Sequence, residues 1–244
     1  MPGQVYKAIC KFYACDNMAN IMPFGREAYI RSSTQERDIK YFTEQQLEML
    51  SGALWNMETK GCIHGEKKGP HCGQWLTRGR DFRMLCSIML WSGARVGEAL
   101  KLTPLDIDFD TGVIGLWTEK RKGDVRRYVP LHAELKSELL TFLVDRGLKR
   151  HSGDKLIRMK RGLTMKYCRM LQAHFKWPVR THMFRHTFAI RAARAGVPVN
   201  VLQKWLGHSS IFNTSIYTDV GGLDTARWMQ IVRAVDAGDP RSSF

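Results

Sequence analysis

The chain has 244 residues and carries 38 Lys and Arg against 23 Asp and Glu, a formal net charge of +15 at neutral pH. This length suits one large domain with a buried core, and the positive charge favours nucleic acid as a partner over a merely solvated basic surface. We find no apolar run of about 18 residues and no secretory signal pattern, so we expect a cytoplasmic protein and neither a membrane protein nor a secreted one.

The N-terminal segment, residues 1–40, shows no long amphipathic period and is interrupted by "MPFG" and "RSSTQERD". We interpret it as an N-terminal arm or a reduced DNA-binding segment. The pattern changes at "FTEQQLEML", where Thr43 is followed three residues later by Gln46 and then by leucines at helical spacing. This is the signature of a capping box, so the sequence predicts one compact domain over residues 41–244.

A glycine-rich basic loop is predicted over residues 61–79. Its stretch "CIHGEKKGPHC" contains Cys62, His64, His71 and Cys72, which are four potential zinc ligands. Their spacing fits no common zinc finger, so a basic loop that contacts DNA or solvent is the favoured interpretation and zinc is the alternative. The six cysteines of the chain are expected to be reduced thiols.

The segment "DFRMLCSIMLWSGARVGEALKL" predicts a helix with one apolar face that stops at Gly93 and resumes after Arg95. Arg95 is therefore expected at the junction of two helices. The following stretch, "DFDTGVIGLWTEKRKGDVRRYVPLH", alternates with a period of two residues and predicts a small antiparallel sheet. Its turns are expected near residues 110–112 and 123–124.

The rest of the chain again has a helical pattern, with Gly196 and Gly207 as expected helix ends. The predicted helices span about residues 132–146, 164–175, 182–195, 198–206, 211–217 and 224–236. The predicted fold class is therefore α+β, mostly α-helical, with a small antiparallel sheet. Residues 222–244 are predicted to form a C-terminal helix and tail, whose apolar stripe is expected to cover either its own core or a neighbouring copy.

Several reactive side chains fall near the ends of these elements, where they can converge. They are Arg95, Lys120 or Lys122, His182, Arg185, His208 and Tyr217. Two guanidinium groups can hold one phosphate, a lysine can protonate a leaving oxygen, and histidines can move a proton. A tyrosine hydroxyl, with an ordinary pKa of about 10, attacks phosphorus once cations and a base ease its deprotonation. Such a set can form a phosphotyrosine.

Two aromatic residues of these segments, Tyr217 and His186, have structural interpretations. Tyr217 alone would be read as a core tyrosine near a helix end. His186, beside Arg185 in the same segment, is predicted to be structural, packing or capping next to the site.

Three stretches in order, "SGARVGEALKLTPLDID", "THMFRHTFAIRAARAG" and "VLQKWLGHSSIFNTSIYTDV", resemble the sequence boxes of the tyrosine recombinases, also called the phage integrase family. The likeness covers about residues 40–220 and implies that family's catalytic-domain fold. It places Arg95 in the first box with Glu98 as the acid that braces it. His182 and Arg185 match the His-x-x-Arg box, and His208 and Tyr217 match the final box.

The resemblance implies a mechanism that needs neither a metal nor a nucleotide cofactor. The tyrosine attacks a DNA phosphodiester to give a 3′-phosphotyrosyl link and a free 5′-hydroxyl, and two rounds of exchange pass through a Holliday junction. The implied roles are phosphate binding by Arg95 and Arg185, a hydrogen bond from His208, general base for His182, nucleophile for Tyr217 and proton donor for Lys122. Lys120 remains the alternative to Lys122.

The resemblance also implies double-stranded DNA as partner and a homotetramer that assembles on two DNA sites by exchanging the C-terminal helix. The short N-terminal segment favours a plasmid multimer resolvase, associated with nucleoid or plasmid, and an accessory DNA-bending protein can assist it. The alternatives are an integrase or invertase of the same family, a type IB-like topoisomerase, and a catalytically silent DNA-binding regulator.

Overall fold

The computed structural model describes residues 39–63, 76–118 and 125–221, and these belong to one compact unit that begins at Ile39. The fold class is the predicted one, mostly α-helical with one three-stranded antiparallel sheet. In chain order the elements are α1 (Glu44–Thr59), α2 (Leu76–Ser92), α3 (Val96–Lys101), a 3-10 turn (Pro104–Asp106), β1 (Ile107–Asp108), β2 (Val113–Trp117), β3 (Arg126–Pro130), α4 (Ala133–Arg146), α5 (Arg161–Phe175), α6 (Thr181–Arg194), α7 (Val199–Leu206) and α8 (Phe212–Gly221).

Helix α1 begins with the capping box that the sequence predicts. The Thr43 hydroxyl accepts a hydrogen bond from the Gln46 amide, and the Gln46 side chain accepts one from the Thr43 amide. The preceding Phe42 is buried, and its amide donates to the hydroxyl of Thr187 at 2.9 Å. The start of α1 is therefore fixed on α6.

A tight turn at Gly93 separates α2 from α3, as predicted. Gly93 has a φ of 63°, and a Cβ there would lie 2.5 Å from Cδ1 of Phe188, so both the backbone conformation and the packing require glycine. Arg95 then caps α3, with an extended backbone. The turn thus brings the start of α3 close to α6.

The sheet has the order β1-β2-β3, and Gly115 pairs with Tyr128 across its longer ladder. The first predicted turn is confirmed, because Gly112 lies between β1 and β2 and has a positive φ of 68°. The second predicted turn falls within residues 119–124. These residues, and with them Lys120 and Lys122, lie outside the described part of the chain.

Three predicted boundaries are wrong. Helix α2 begins at Leu76, inside the loop predicted over residues 61–79, and Gly79 is the helical residue that packs against the Met57 carbonyl of α1. Helix α5 begins at Arg161, three residues before the expected start, because the amides of Leu163 and Thr164 already donate to the Lys160 carbonyl. Helix α8 continues to Gly221, beyond the expected end at residue 217, so Tyr217 lies inside a helix. Gly196 and Gly207 do end helices, with positive φ. The predicted helix 224–236 lies outside the described residues.

Two groups of buried apolar side chains make up the core. The larger one packs α1, α2, α4, α5 and the first half of α6 around residues such as Phe82 and Leu139. The smaller one packs the second half of α6 against α7 and α8 and includes Leu206 and Tyr217. None of the helices in the described ranges is long and apolar enough to cross a bilayer.

Candidate active site

An open cleft of about 470 Å³ lies where α3, α6, the turn after α7, and α8 approach one another. It is lined by all the described residues that the sequence predicts for the site, together with His186 and Thr118. These predicted residues are Arg95, His182, Arg185, His208 and Tyr217. Residues separated by more than a hundred positions in the chain therefore meet in one cavity.

Arg185 is buried in the wall of the cleft and is held by two main-chain carbonyls. Its Nη1 donates to the Gly93 carbonyl at 2.6 Å and its Nη2 to the Leu206 carbonyl at 2.5 Å. Burial, followed by the charges of Arg95 and Arg127, lowers the pKa of the guanidinium to about 9, so the group stays cationic at neutral pH. A guanidinium has five donors, so a group fixed in this way is suited to hold an anion.

Arg95 lies at the cap of α3 and is braced by the buried carboxylate of Glu98. The Arg95 amide and Nη1 each donate to Glu98 at 2.8 Å. Arg95 is the N-cap of the short helix that contains Glu98, so the brace is built into the local "RVGE" sequence. This contact places a second cation beside Arg185 in the cleft.

Arg127 is a buried residue of β3 that the sequence interpretation missed. Its two terminal nitrogens donate to the carboxylate oxygens of Glu98 at 2.8 and 2.7 Å, and its Nε donates to the Trp205 carbonyl at 2.7 Å. Burial alone would raise the pKa of Glu98, but the hydrogen bonds from Arg127 and Arg95 outweigh it and lower that pKa. The period-two pattern of β3 places Arg127 on the same inward face as Val129. A charged residue at a position expected to be apolar was the signal in the sequence that Arg127 is buried against a partner.

His208 follows the Gly207 turn at the end of α7, and its ring is oriented by Thr214 of α8. Nδ1 lies 2.9 Å from the Thr214 hydroxyl, which is fully buried. Burial, then Arg185 and Arg95, lower the pKa of His208 to about 4, so the ring is neutral at neutral pH. If the hydroxyl donates to Nδ1, the ring proton is on Nε2, where it can be donated to an anion.

Tyr217 points from α8 into this group, and only 2% of it is exposed. Its hydroxyl lies 2.8 Å from Nδ1 of His186, and its ring stacks on His208 with a centroid distance of 6.3 Å. Burial raises the pKa of the phenol, although Arg185 and Arg95 oppose the shift. The hydroxyl is therefore neutral at rest and needs a base before it can act as a nucleophile.

The prediction that His186 packs or caps beside the site is incomplete, because its ring contacts the hydroxyl of Tyr217 directly. His182 lies one helical turn earlier in α6, is exposed, and has its ring centroid 6.3 Å from that of His186. Positions i and i+4 share one face of a helix, so this spacing was a readable signal that both rings face the cleft.

The zinc hypothesis receives no support from the described residues, in which no group of three or more His, Cys, Asp and Glu side chains can hold a metal. Cys62 is buried. The other three candidates, His64, His71 and Cys72, lie outside the described ranges.

Comparison with known proteins identifies relatives of this chain. The family model described as Phage integrase family matches residues 78–222. A tyrosine recombinase XerC from Listeria monocytogenes is 30% identical over 225 residues, which are 86% of this chain and 66% of the relative. A resolvase from Escherichia coli strain K12 is 42% identical over 65 residues, which are 27% of this chain and 24% of the resolvase.

A solved structure of XerH site-specific recombinase bound to palindromic difH substrate, a post-cleavage complex, matches with a TM-score of 0.55 at 23% identity. The match covers 80% of this chain and 54% of the XerH chain, and shows that the two share a fold. The chain spans between half and two thirds of the length of the first curated tyrosine recombinases that it matches.

Proposed function

This chain belongs to the phage integrase family of tyrosine recombinases, and we propose that it is a site-specific recombinase that cleaves and rejoins double-stranded DNA through Tyr217. The observation that carries the proposal is the meeting of this hydroxyl with Arg95, Arg185 and His208 in one open cleft. The net charge of +15 supports DNA as the partner, as does the fold shared with a DNA-bound recombinase.

We propose that the two arginines bind the scissile phosphate. The guanidinium groups of Arg95 and Arg185 donate to its nonbridging oxygens, and Nε2 of His208 adds one more hydrogen bond. These donors are fixed by Glu98 and by main-chain carbonyls before DNA arrives. Preorganised donors of this kind stabilise the extra negative charge of a pentavalent transition state.

In the proposed reaction the Tyr217 oxygen forms a bond to phosphorus and the 5′-oxygen leaves. The result is a 3′-phosphotyrosyl link, and the 5′-oxygen takes its proton from Lys122, with Lys120 as the alternative. Both lysines follow Thr118 in the chain, and Thr118 lines the cleft. The family resemblance gives His182 the role of general base, and the step uses neither a metal nor a nucleotide.

Religation reverses these bonds, because the free 5′-hydroxyl of a second strand attacks the phosphotyrosine and releases the tyrosine. We propose that two such rounds pass through a Holliday junction held by four copies of the chain on two DNA sites. Exchange of the C-terminal segment, residues 222–244, would join the copies. Residues 41–244 act as the catalytic domain. Further contacts with the DNA come from residues 1–40, from an accessory DNA-bending protein, or from both.

Resolution of plasmid multimers is the subclass that we favour, with the protein acting on nucleoid or plasmid DNA. The local 42% identity to a resolvase supports this choice. An integrase or invertase would use the same chemistry on differently arranged sites. A type IB-like topoisomerase would relax one duplex without exchange, and a regulator would bind DNA without cutting it.

The proposal is tested by capturing the covalent intermediate on fragments of the host replicon. After denaturation the protein is recovered and the attached DNA ends are sequenced, and we expect one recurrent site joined through its 3′ ends. A supercoiled plasmid with two copies of this site should then yield two smaller circles, while a plasmid without the site stays supercoiled. Relaxation of the plasmid without the site would favour a topoisomerase, and binding without any adduct would favour a regulator.

A further inference from the structure

We propose that His186 is a catalytic residue that accepts the phenolic proton of Tyr217 during strand cleavage. This inference rests on the proposed recombinase function and assigns a reacting role to a residue outside the set that the family resemblance names. The proton otherwise has to reach His182 at the mouth of the cleft. The structure instead places a different imidazole against the hydroxyl.

The contact between the two side chains has the geometry of a hydrogen bond. Nδ1 of His186 lies 2.8 Å from the Tyr217 hydroxyl, and the ring centroids are 5.8 Å apart with planes inclined at 42°. A general base needs a heavy-atom separation of about 2.6–3.2 Å from the group that it deprotonates. The His186 contact meets this requirement before DNA is bound.

The protonation state of His186 suits an acceptor. Burial, then the neighbouring His182 and Arg185, lower the pKa of the ring to about 4, so its neutral form dominates at neutral pH. Nδ1 then has a lone pair available when the ring proton is on Nε2. A phosphate bound by Arg185 would offset the positive charge that disfavours the imidazolium, so DNA binding itself would raise the pKa of this base.

The step balances as two proton transfers coupled to one displacement at phosphorus. The O–H bond of Tyr217 breaks and a bond from Nδ1 of His186 to the proton forms, while the tyrosine oxygen bonds to phosphorus. The bond from phosphorus to the 5′-oxygen breaks, and that oxygen takes its proton from the lysine. During religation the imidazolium returns the proton to the released phenolate.

His182 fits a later position on the same proton path. Its ring is exposed, and its centroid is 6.3 Å from that of His186. It can therefore exchange the proton with solvent or stabilise the charge that develops on the inner ring. The two histidines then form a pair, in which His186 contacts the nucleophile and His182 contacts the solvent.

The test compares His186→Asn and His186→Ala in single-turnover cleavage of DNA that carries the site mapped with wild-type protein. Asparagine keeps a hydrogen-bond acceptor near the position of Nδ1 but cannot take a proton. We expect both variants to cleave at least about a hundredfold more slowly than wild type, with unchanged DNA binding. A near-normal rate for the Asn variant would mean that His186 only positions Tyr217, and would overturn the proposal.

Two further measurements separate base catalysis from a folding defect. Raising the pH should speed the residual cleavage by a His186→Gln variant more than wild-type cleavage, because hydroxide replaces the missing base. Parallel pH profiles for the variant and the wild type would contradict the proposal.

The second measurement uses a substrate with sulfur at the bridging 5′ position, whose leaving group needs no proton. This substrate should rescue Lys122→Ala but not His186→Asn, and rescue of His186→Asn would place His186 on the leaving-group side.

The outcomes for the two proposals are distinct. If wild-type protein forms no adduct on any DNA, the recombinase function fails. If wild type cleaves the mapped site and both His186 variants cleave equally well, only the role of His186 fails.

Discussion

The carboxylate of Glu98 accepts two hydrogen bonds from Arg127, of 2.8 and 2.7 Å, in the buried layer beneath the cleft. The same carboxylate holds Arg95, and Arg127 also donates to the carbonyl of Trp205. One buried acid therefore links β3, Arg95 at the start of α3, and α7 just before His208. Displacement of this acid is expected to disturb three parts of the site together.

Replacing Glu98 by Gln should lower the free energy of unfolding by about 3–5 kcal/mol, because two buried or half-buried guanidinium groups lose their charge partner. Urea unfolding measures the effect. The matched control is Glu44→Gln, which breaks the pair with Arg191 at a surface position where Glu44 is 68% exposed. That pair should contribute about 1 kcal/mol or less. Equal losses in the two variants would contradict the role of Glu98 as a buried brace.

Replacing Thr214 by Val should slow DNA cleavage by about tenfold or more, since His208 loses the hydroxyl that fixes its ring and its tautomer. Thr214→Ser keeps the hydroxyl and should retain most of the rate. Single-turnover cleavage of the mapped site measures both. Equal rates for the Val and Ser variants would show that the contact does not orient His208.

The protein should lose stability as the pH falls from about 6.5 toward about 4. His186 and His208 each have a pKa of about 4 in the folded chain, against an ordinary value of 6.5. Between these values the unfolded chain binds protons that the folded chain does not, so acid favours unfolding and stability rises with pH. Urea midpoints at several pH values measure the slope.

The same slope should be smaller in His208→Gln, which removes one of the two titrating groups. An identical slope in wild type and His208→Gln would contradict the assigned pKa shift.

Replacing Gly79 by Ala should destabilise the protein by about 1–3 kcal/mol or more. The new Cβ would lie 2.2 Å from the Met57 carbonyl oxygen, where α1 and α2 pack. The control is Gly52→Ala on α1, where a Cβ meets nothing within 4 Å. Alanine should stabilise that helix by about 0.5–1 kcal/mol. Thermal unfolding of both variants tests the opposite signs.

Local sequence signals predicted much of the fold and the residues that meet in the cleft. The Thr43 capping box, the Gly93 turn and the glycine that ends α7 each depend on neighbours in the chain, so they could be read directly. The positions of Arg95 and Arg185 followed from ordered motifs: Arg95 is the N-cap of α3, and Arg185 lies in the second turn of α6.

The contacts that sequence reasoning missed join residues far apart in the chain. Arg127 meets Glu98 across 29 positions and Trp205 across 78. His186 meets Tyr217 across 31 positions, between helices whose relative placement depends on the packing of α6, α7 and α8. The α8 boundary was also missed, since "TDVGG" reads locally as a helix end. Such features need the tertiary arrangement.

The most direct test of the central claim is to identify the residue that becomes joined to DNA. Wild-type protein and Tyr217→Phe are incubated with site DNA in EDTA, denatured and digested, and the peptide that carries nucleotide is identified by mass spectrometry. We predict a nucleotide attached to Tyr217 in the wild type and no adduct in the variant, with equal DNA binding by both. A nucleotide on another residue, or an adduct that persists in Tyr217→Phe, would contradict the assigned nucleophile.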